Sequence, residues 1–268
     1  MGDGTVTDNA KAPLLEVKDL VKNYHDGPNS RDILSHLELV VNEGDFLTIL
    51  GPSGCGKTTL IRCIAGFEDY EGEICVEGKP VSDPGIDRMM IFQTFEQLFP
   101  WKTVKKNIQY PLKINGISDK DELDRIAEKH LELVGLKGKG DLYPHQLSGG
   151  MKQRVAIAKG LALNPKIILM DEPFAALDAM TRNKLQGELI RIKEKENATV
   201  IFITHNIQEA LVLGNRVILM SKDGEIKINM ENTIPKPVTP ASEGYGEMWK
   251  VLNDALWEED GGEGAAIE

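Results

Sequence analysis

The sequence predicts an α/β chain in which short apolar strands alternate with helices around one phosphate-binding turn, and three observations carry that prediction. First, Phe46-Leu47-Thr48-Ile49-Leu50 is apolar and β-rich and runs into Gly51-Pro52-Ser53-Gly54-Cys55-Gly56-Lys57-Thr58-Thr59, the pattern G-x-x-x-x-G-K-[ST] set between a strand and a helix. Second, Ile167–Met170 and Thr199–Thr204 are buried-strand runs that end in chemistry, Asp171 and Glu172 after one and His205 after the other. Third, helical spacing fills the intervals, over Lys57–Phe67 and from about Thr181 to Glu196.

Composition narrows the function. The chain has 268 residues, 41 % hydrophobic and 27 % charged, which suits ordinary globular material. No run approaches the roughly 20 apolar residues that span a bilayer. Met1-Gly2-Asp3-Gly4 has neither the charge nor the apolar stretch of a signal peptide, so a cytoplasmic location is expected. A net charge of −11 disfavours non-specific binding to nucleic acid or an anionic lipid surface, so no nucleic-acid partner is expected and any membrane role needs a protein partner. Cys55, Cys63 and Cys75 fit no zinc spacing and read as reduced thiols.

Taken in order, residues 1–13 are polar, small and without period, and read as a disordered lead-in. Strand-like stretches follow at Leu15–Leu20 and Ile33–Val41, separated by turn chemistry from Tyr24 to Ser30. Tyr24 is placed where an aromatic ring can stack on a purine base, or simply pack at a strand end. After the phosphate loop a short strand stretch is expected over Glu71–Val81 with a turn at Glu77-Gly78, and a buried strand over Met89–Phe92, ending at Gln93. Gln93 sits where a polar side chain can meet a metal or an attacking water, or face solvent.

Residues 94–160 change character and read as a helical insert. Thr103–Gly116 and Ser118–Gly135 have helical spacing, the second capped at Ser118 or Asp119. His130 falls on the apolar side and reads as a core histidine. Leu147-Ser148-Gly149-Gly150-Met151 then opens another helix, and a Ser-Gly-Gly at a helix start supplies free N–H groups and a positive helix end to an anion. The tail from about Thr233 is proline-containing, with a short helix expected over Glu247–Trp257 and a disordered acidic end from Glu258.

The phosphate loop argues for a nucleoside triphosphate. Its glycines let successive N–H groups face one concavity, Lys57 reaches the β- and γ-phosphates, and the Thr58 hydroxyl is a ligand for Mg²⁺. Asp171 is placed to hold Mg²⁺ through water, Glu172 to meet a hydrolytic water, and His205 to donate to a γ-phosphate oxygen. Cys55, inside the loop and near a helix N-terminus, is expected to have a lowered pKa and raised reactivity.

The ordered set Gly51–Thr58, Gln93, Leu147–Met151, Ile167–Glu172, Ala176–Asp178 and His205 resembles the ATP-binding subunit of ABC transporters, over roughly residues 14–233. The resemblance implies a P-loop NTPase core of RecA type with an N-terminal antiparallel β subdomain and the inserted α-helical subdomain. It implies ATP and Mg²⁺ as ligands, with Gly51, Pro52, Ser53, Gly54, Cys55, Gly56, Lys57, Thr58, Thr59 and Tyr24 around the nucleotide. Thr58, Gln93 and Asp171 would organise the metal, and Lys57, Gln93, Glu172 and His205 would serve catalysis. Ser148, Gly149 and Gly150 would close over ATP bound to a second subunit, giving a head-to-tail dimer, and Asp178 would also belong to the nucleotide-binding set. The chain departs from the pattern at Met151, where the signature usually ends in Gln, and at Ala175, often a small polar residue.

Gly85–Gln93 with Leu98-Phe99-Pro100-Trp101 is similar to importers of nitrate, sulfonate and taurine. That implies permease subunits docking near Thr94–Trp101, an extracytoplasmic binding protein acting indirectly, and a peripheral position on the inner face of the membrane. A soluble non-transport ABC protein would usually carry two such domains or a coiled coil. A GTPase would need Asn-Lys-x-Asp, and Asn183-Lys184-Leu185-Gln186 lacks the acid.

Overall fold

Strand β3 (Phe46–Leu50) is buried on both faces, as expected of a central strand whose side chains alternate between two cores. In the computed structural model, which describes residues 12–26, 29–92, 97–175 and 177–261, β3 pairs in parallel with β8 (Thr199–Ile203) on one side and β9 (Arg216–Met220) on the other. β8 pairs in parallel with β7 (Ile167–Asp171), β7 with β6 (Arg88–Ile91), and β10 (Ile226–Glu231) closes the far edge antiparallel to β9. The order β10-β9-β3-β8-β7-β6 puts the carboxyl ends of β3, β8 and β7 side by side.

Alternation sorts the apolar side chains. Phe46, Val200, Phe202, Ile168 and Met170 face one core, with Phe202 ringed by Phe46 and Phe174 at centroid distances of 6.0 and 5.4 Å. Leu47, Ile49, Ile201, Ile203, Ile167 and Leu169 face the other, packed on α1 (Lys57–Ala65) and on a second sheet. That sheet is antiparallel, ordered β2-β1-β4-β5 from β1 (Leu15–Asp26), β2 (Asn29–Val41), β4 (Glu71–Val76) and β5 (Lys79–Pro80). The turn expected at Glu77-Gly78 is there, with positive φ of 49° and 71°, and it separates β4 from β5.

The insert holds α2 (Val104–Ile114), α3 (Lys120–Leu133) and α4 (Gly149–Leu161), capped by the side chains of Thr103, Asp119 and Ser148. Leu112, Leu123, Leu131 and Val155 bury the face on which the three helices meet. His130 is buried there, and its Nδ1 lies 2.7 Å from the Ile126 carbonyl. α5 (Ala179–Glu196) starts two residues earlier than expected and is capped by Asp178. α6 (Ile207–Leu213) follows β8.

The tail departs from expectation. α7 spans Tyr245–Asp260, so Glu258, Glu259 and Asp260 belong to a helix rather than to a disordered end. Leu252 and Ala255 anchor it in a third core with Leu50 and Leu211, and Lys227 pairs with Glu258 and Glu259 at 2.9 Å each, offsetting the repulsion among the acids.

Candidate nucleotide site

The loop after β3 owes its shape to glycine. Gly56 has φ +97°, and a Cβ there would sit 2.7 Å from the Ile33 carbonyl oxygen and 2.8 Å from Leu34 Cδ2. The loop therefore lies hard against β2 and delivers Lys57 as the first residue of α1. Lys57 is 7 % exposed. Its Nζ donates to the Gly51 and Pro52 carbonyls, both at 2.7 Å, and no carboxylate among the described residues forms an ion pair with it. A buried ammonium held by two carbonyls and the Cys55 sulfur, with no carboxylate partner among the described residues, in a loop of backbone N–H groups is chemistry suited to an anion.

At the end of β7, both oxygens of Asp171 lie 3.1 Å from Thr58 Oγ1. Burial raises the Asp171 carboxyl above its ordinary value, and the neighbouring Glu172 adds to the rise, while the Thr58 hydroxyl and the Arg62 and Lys57 charges oppose it. This donor set fits Mg²⁺. The ion prefers one or two carboxylates plus phosphate and water oxygens at about 2.1 Å, which sets neighbouring oxygens roughly 3 Å apart.

Glu172 follows with φ +42°, left-handed for a non-glycine residue, and its N–H donates to the Ile203 carbonyl at 3.1 Å. That backbone turn points its carboxylate across to β8, where Oε2 lies 3.3 Å from His205 Nδ1. Tyr24, Ser53, Gly54, Gly56, Lys57, Thr58, Thr59, Glu172 and His205 line one cavity of about 650 Å³. Tyr24 presents a ring that is 41 % exposed, with Lys22 Nζ 4.9 Å from its centroid.

The structure does not bring every expected residue there. Ser148, Gly149, Gly150 and Asp178 do not line this cavity. Ser148 and Asp178 each cap a helix, α4 and α5, and the two helix starts touch: a Cβ on Gly150 would meet Thr181 Cγ2 at 2.5 Å. Gln93, Thr94, Phe95 and Ala176 lie outside the described residues.

Cys55 corrects an expectation. Its side chain is buried, and burial pushes the thiol up more strongly than Lys57, 3.7 Å away, pulls it down. Proximity to a helix start loses to desolvation, because Sγ is turned inward against the loop. Cys63, on the buried side of α1, is pushed up to about 12 by burial.

A second surface feature shares no lining residue with the cavity around Lys57. Exposed Phe67, Ile86, Tyr110 and Ile114 line a mostly apolar groove of about 320 Å³, and the exposed Trp101 lies next to it against Phe99. Phe99, half-buried, stacks edge-on against Tyr110 at 4.7 Å and lies 5.4 Å from Trp101. Leu98 does not join them: it is a core residue of the helical insert, 3 % exposed. Sequence reading found Phe99 and Trp101 but missed Phe67, Ile86, Tyr110 and Ile114, which only the fold brings to one groove.

A profile of the ABC transporter family matches residues 34–175. An uncharacterized ABC transporter ATP-binding protein of Methanocaldococcus jannaschii is 47 % identical over 91 % of this chain and 92 % of its own length. An aliphatic sulfonates import ATP-binding protein of Bacillus cereus is 42 % identical over 89 % of this chain and 94 % of its own. Among solved structures, the dimeric post-hydrolysis state of an ATP-binding cassette bound to ADP and Pi aligns with a TM-score of 0.71 and 33 % identity, covering 81 % of this chain and 98 % of that one.

Proposed function

The chain belongs to the ABC transporter family as an import-type ATP-binding subunit, an ATPase, and from that premise we propose that it drives uptake of a small anion by closing head to tail on a second ATP-binding subunit. The observation that carries this is the placement of Ser148–Gly150 and Asp178. They form paired helix starts outside the cavity that holds Lys57, and that separation supports a role at the nucleotide of another chain. Each composite site then needs two subunits, and ATP is the bridge between them.

The chemistry proposed for this chain's residues is positioning and electrostatics on phosphoryl transfer to water. Lys57 and the loop N–H groups hold the β- and γ-phosphates, and Tyr24 stacks on the base. Thr58, Asp171 and Gln93 would hold Mg²⁺, which when bound neutralises charge developing on the phosphates. Glu172 orients and deprotonates the attacking water. The His205 ring is steadied at Nδ1 by Glu172, which leaves Nε2 to the γ-phosphate.

The apolar groove is proposed as the permease dock. Four large exposed hydrophobic side chains lining one groove, with exposed Trp101 beside Phe99, support that reading on a chain of net charge −11. Among the described residues no helix is long and apolar enough to cross a membrane, and docking would hold the subunit at the cytoplasmic face. An extracytoplasmic binding protein would hand the anion to the permease, and the sulfonate-importing relative supports an anion of that kind. The test is anion uptake into vesicles carrying the assembled complex with ATP trapped inside. Uptake should vanish for Lys57→Ala, and uptake that survives in that variant would refute the proposal.

A further inference from the structure

Glu209, in the first turn of α6, is 6 % exposed, and its two carboxylate oxygens face two different loops. Oε2 accepts from the Thr204 hydroxyl at 2.6 Å, and Thr204 Oγ1 accepts from the Asn206 amide at 3.0 Å. The residues on either side of His205 are thereby held by one chain of bonds. Oε1 lies 3.4 Å from Arg182 Nε. That contact is an ion pair and not a hydrogen bond, since Nε finds no bonding partner of adequate geometry. The same guanidinium donates from Nη2 to the Leu177 carbonyl at 3.1 Å, and Leu177 immediately precedes Asp178.

The geometry points to Arg182 and Glu209 as positioning residues that lock the Leu177–Asp178 turn to the Thr204–Asn206 turn, so that seating Asp178 against a second subunit sets the orientation of His205. This rests on the dimer reading given above. Neither side chain lines the nucleotide cavity, so both act through their neighbours. Removing a carboxylate and its cation from water costs much of what their attraction returns, so this pair adds little stability to the fold. Its specific effect is to make two functional turns move together, since shifting one breaks bonds on the other.

The test compares wild type with Arg182→Gln, Arg182→Lys, Glu209→Gln and the double variant Arg182→Gln/Glu209→Gln, all as the full chain, for kcat, KM for ATP, Hill coefficient and Tm. Each single Gln variant should lose about tenfold in kcat with KM within about twofold, the split produced when only the transition state is affected. The ATP dependence should flatten toward a Hill coefficient near one. The double variant should be no slower than the slower single, because the two residues act as a unit, and Arg182→Lys should recover part of the loss. If a Gln variant unfolds at assay temperature, Thr204→Val, which removes the hydroxyl between Glu209 and Asn206, should give the same kcat loss. Losses that add, or that follow the folded fraction alone, overturn the coupling. A wild type without cooperative ATP turnover contradicts the dimer reading instead, and a cooperative wild type with indifferent variants overturns only the coupling.

Discussion

Thr58 Oγ1 stands 3.1 Å from each carboxylate oxygen of Asp171, tying the start of α1 to the end of β7. The contact joins the phosphate loop to the strand-end acid, and it brings a carboxylate into a partly buried place where its charge is disfavoured.

That placement has a stability consequence with a definite sign. A carboxyl whose folded pKa exceeds its unfolded value still binds a proton when the unfolded chain has lost it, so stability falls as pH rises through that window. The cost grows as pH rises through that window toward neutrality. Asp171→Asn keeps the shape and a bond to Thr58 while removing the charge, and should raise Tm by a few degrees at pH 7 without nucleotide. The gain should shrink on acidification and vanish below about pH 4, where both states are protonated. ATP hydrolysis should be lost throughout. Calorimetry across pH checks this, and a lower Tm for the variant at pH 7 would contradict it.

The thiols give a second check. Burial raises both Cys55 and Cys63, the latter to about 12, so neither is appreciably thiolate at pH 7. Iodoacetamide should modify the folded chain slowly at pH 7. Raising the pH toward 9 should speed Cys55 first, since Lys57 partly offsets its burial, while Cys63 should react only after denaturation. MgATP should slow Cys55 further by covering the loop. Mass spectrometry of tryptic peptides reads the order, and rapid labelling of Cys55 at pH 7 would mean that the thiol is not buried in solution.

Trp101 and Phe99 test the proposed permease dock. Trp101 is 70 % exposed, so replacing it with Ser removes little folding energy, and Phe99→Ser costs more because that ring packs on Tyr110. Trp101→Ser should leave ATP binding and Tm near wild type and weaken co-purification with the permease by about 2 kcal/mol, the typical worth of an aromatic interface anchor. Unchanged assembly and transport in both variants would remove this groove from the interface.

Much of the site was legible because its parts are local. Lys57 and Thr58 are fixed by the glycine pattern, while Asp171, Glu172 and His205 end apolar runs whose burial makes them neighbouring parallel strands. Cys55 was misread because the balance between a helix end and desolvation depends on which way Sγ points, and that is set by packing. α7 was underestimated because composition marks Glu258–Asp260 as solvated, whereas Lys227 and the Lys222 backbone amide, brought alongside by β10 and the turn before it, hold Glu258 and Glu259 in place. The bridge from Arg182 to Glu209 has no local signature, since α5 and α6 meet only after β8 has been laid between them.

The central claim is that ATP joins two of these subunits and that Glu172 releases them through hydrolysis. Gel filtration of Glu172→Gln with and without MgATP tests it most directly, because the amide leaves every phosphate contact in place and cannot accept the water's proton. The variant should elute as a monomer without nucleotide and at twice that mass with MgATP, while hydrolysing ATP at least about 100-fold more slowly than wild type. A variant that stays monomeric in saturating MgATP, or that turns over at the wild-type rate, would contradict the account.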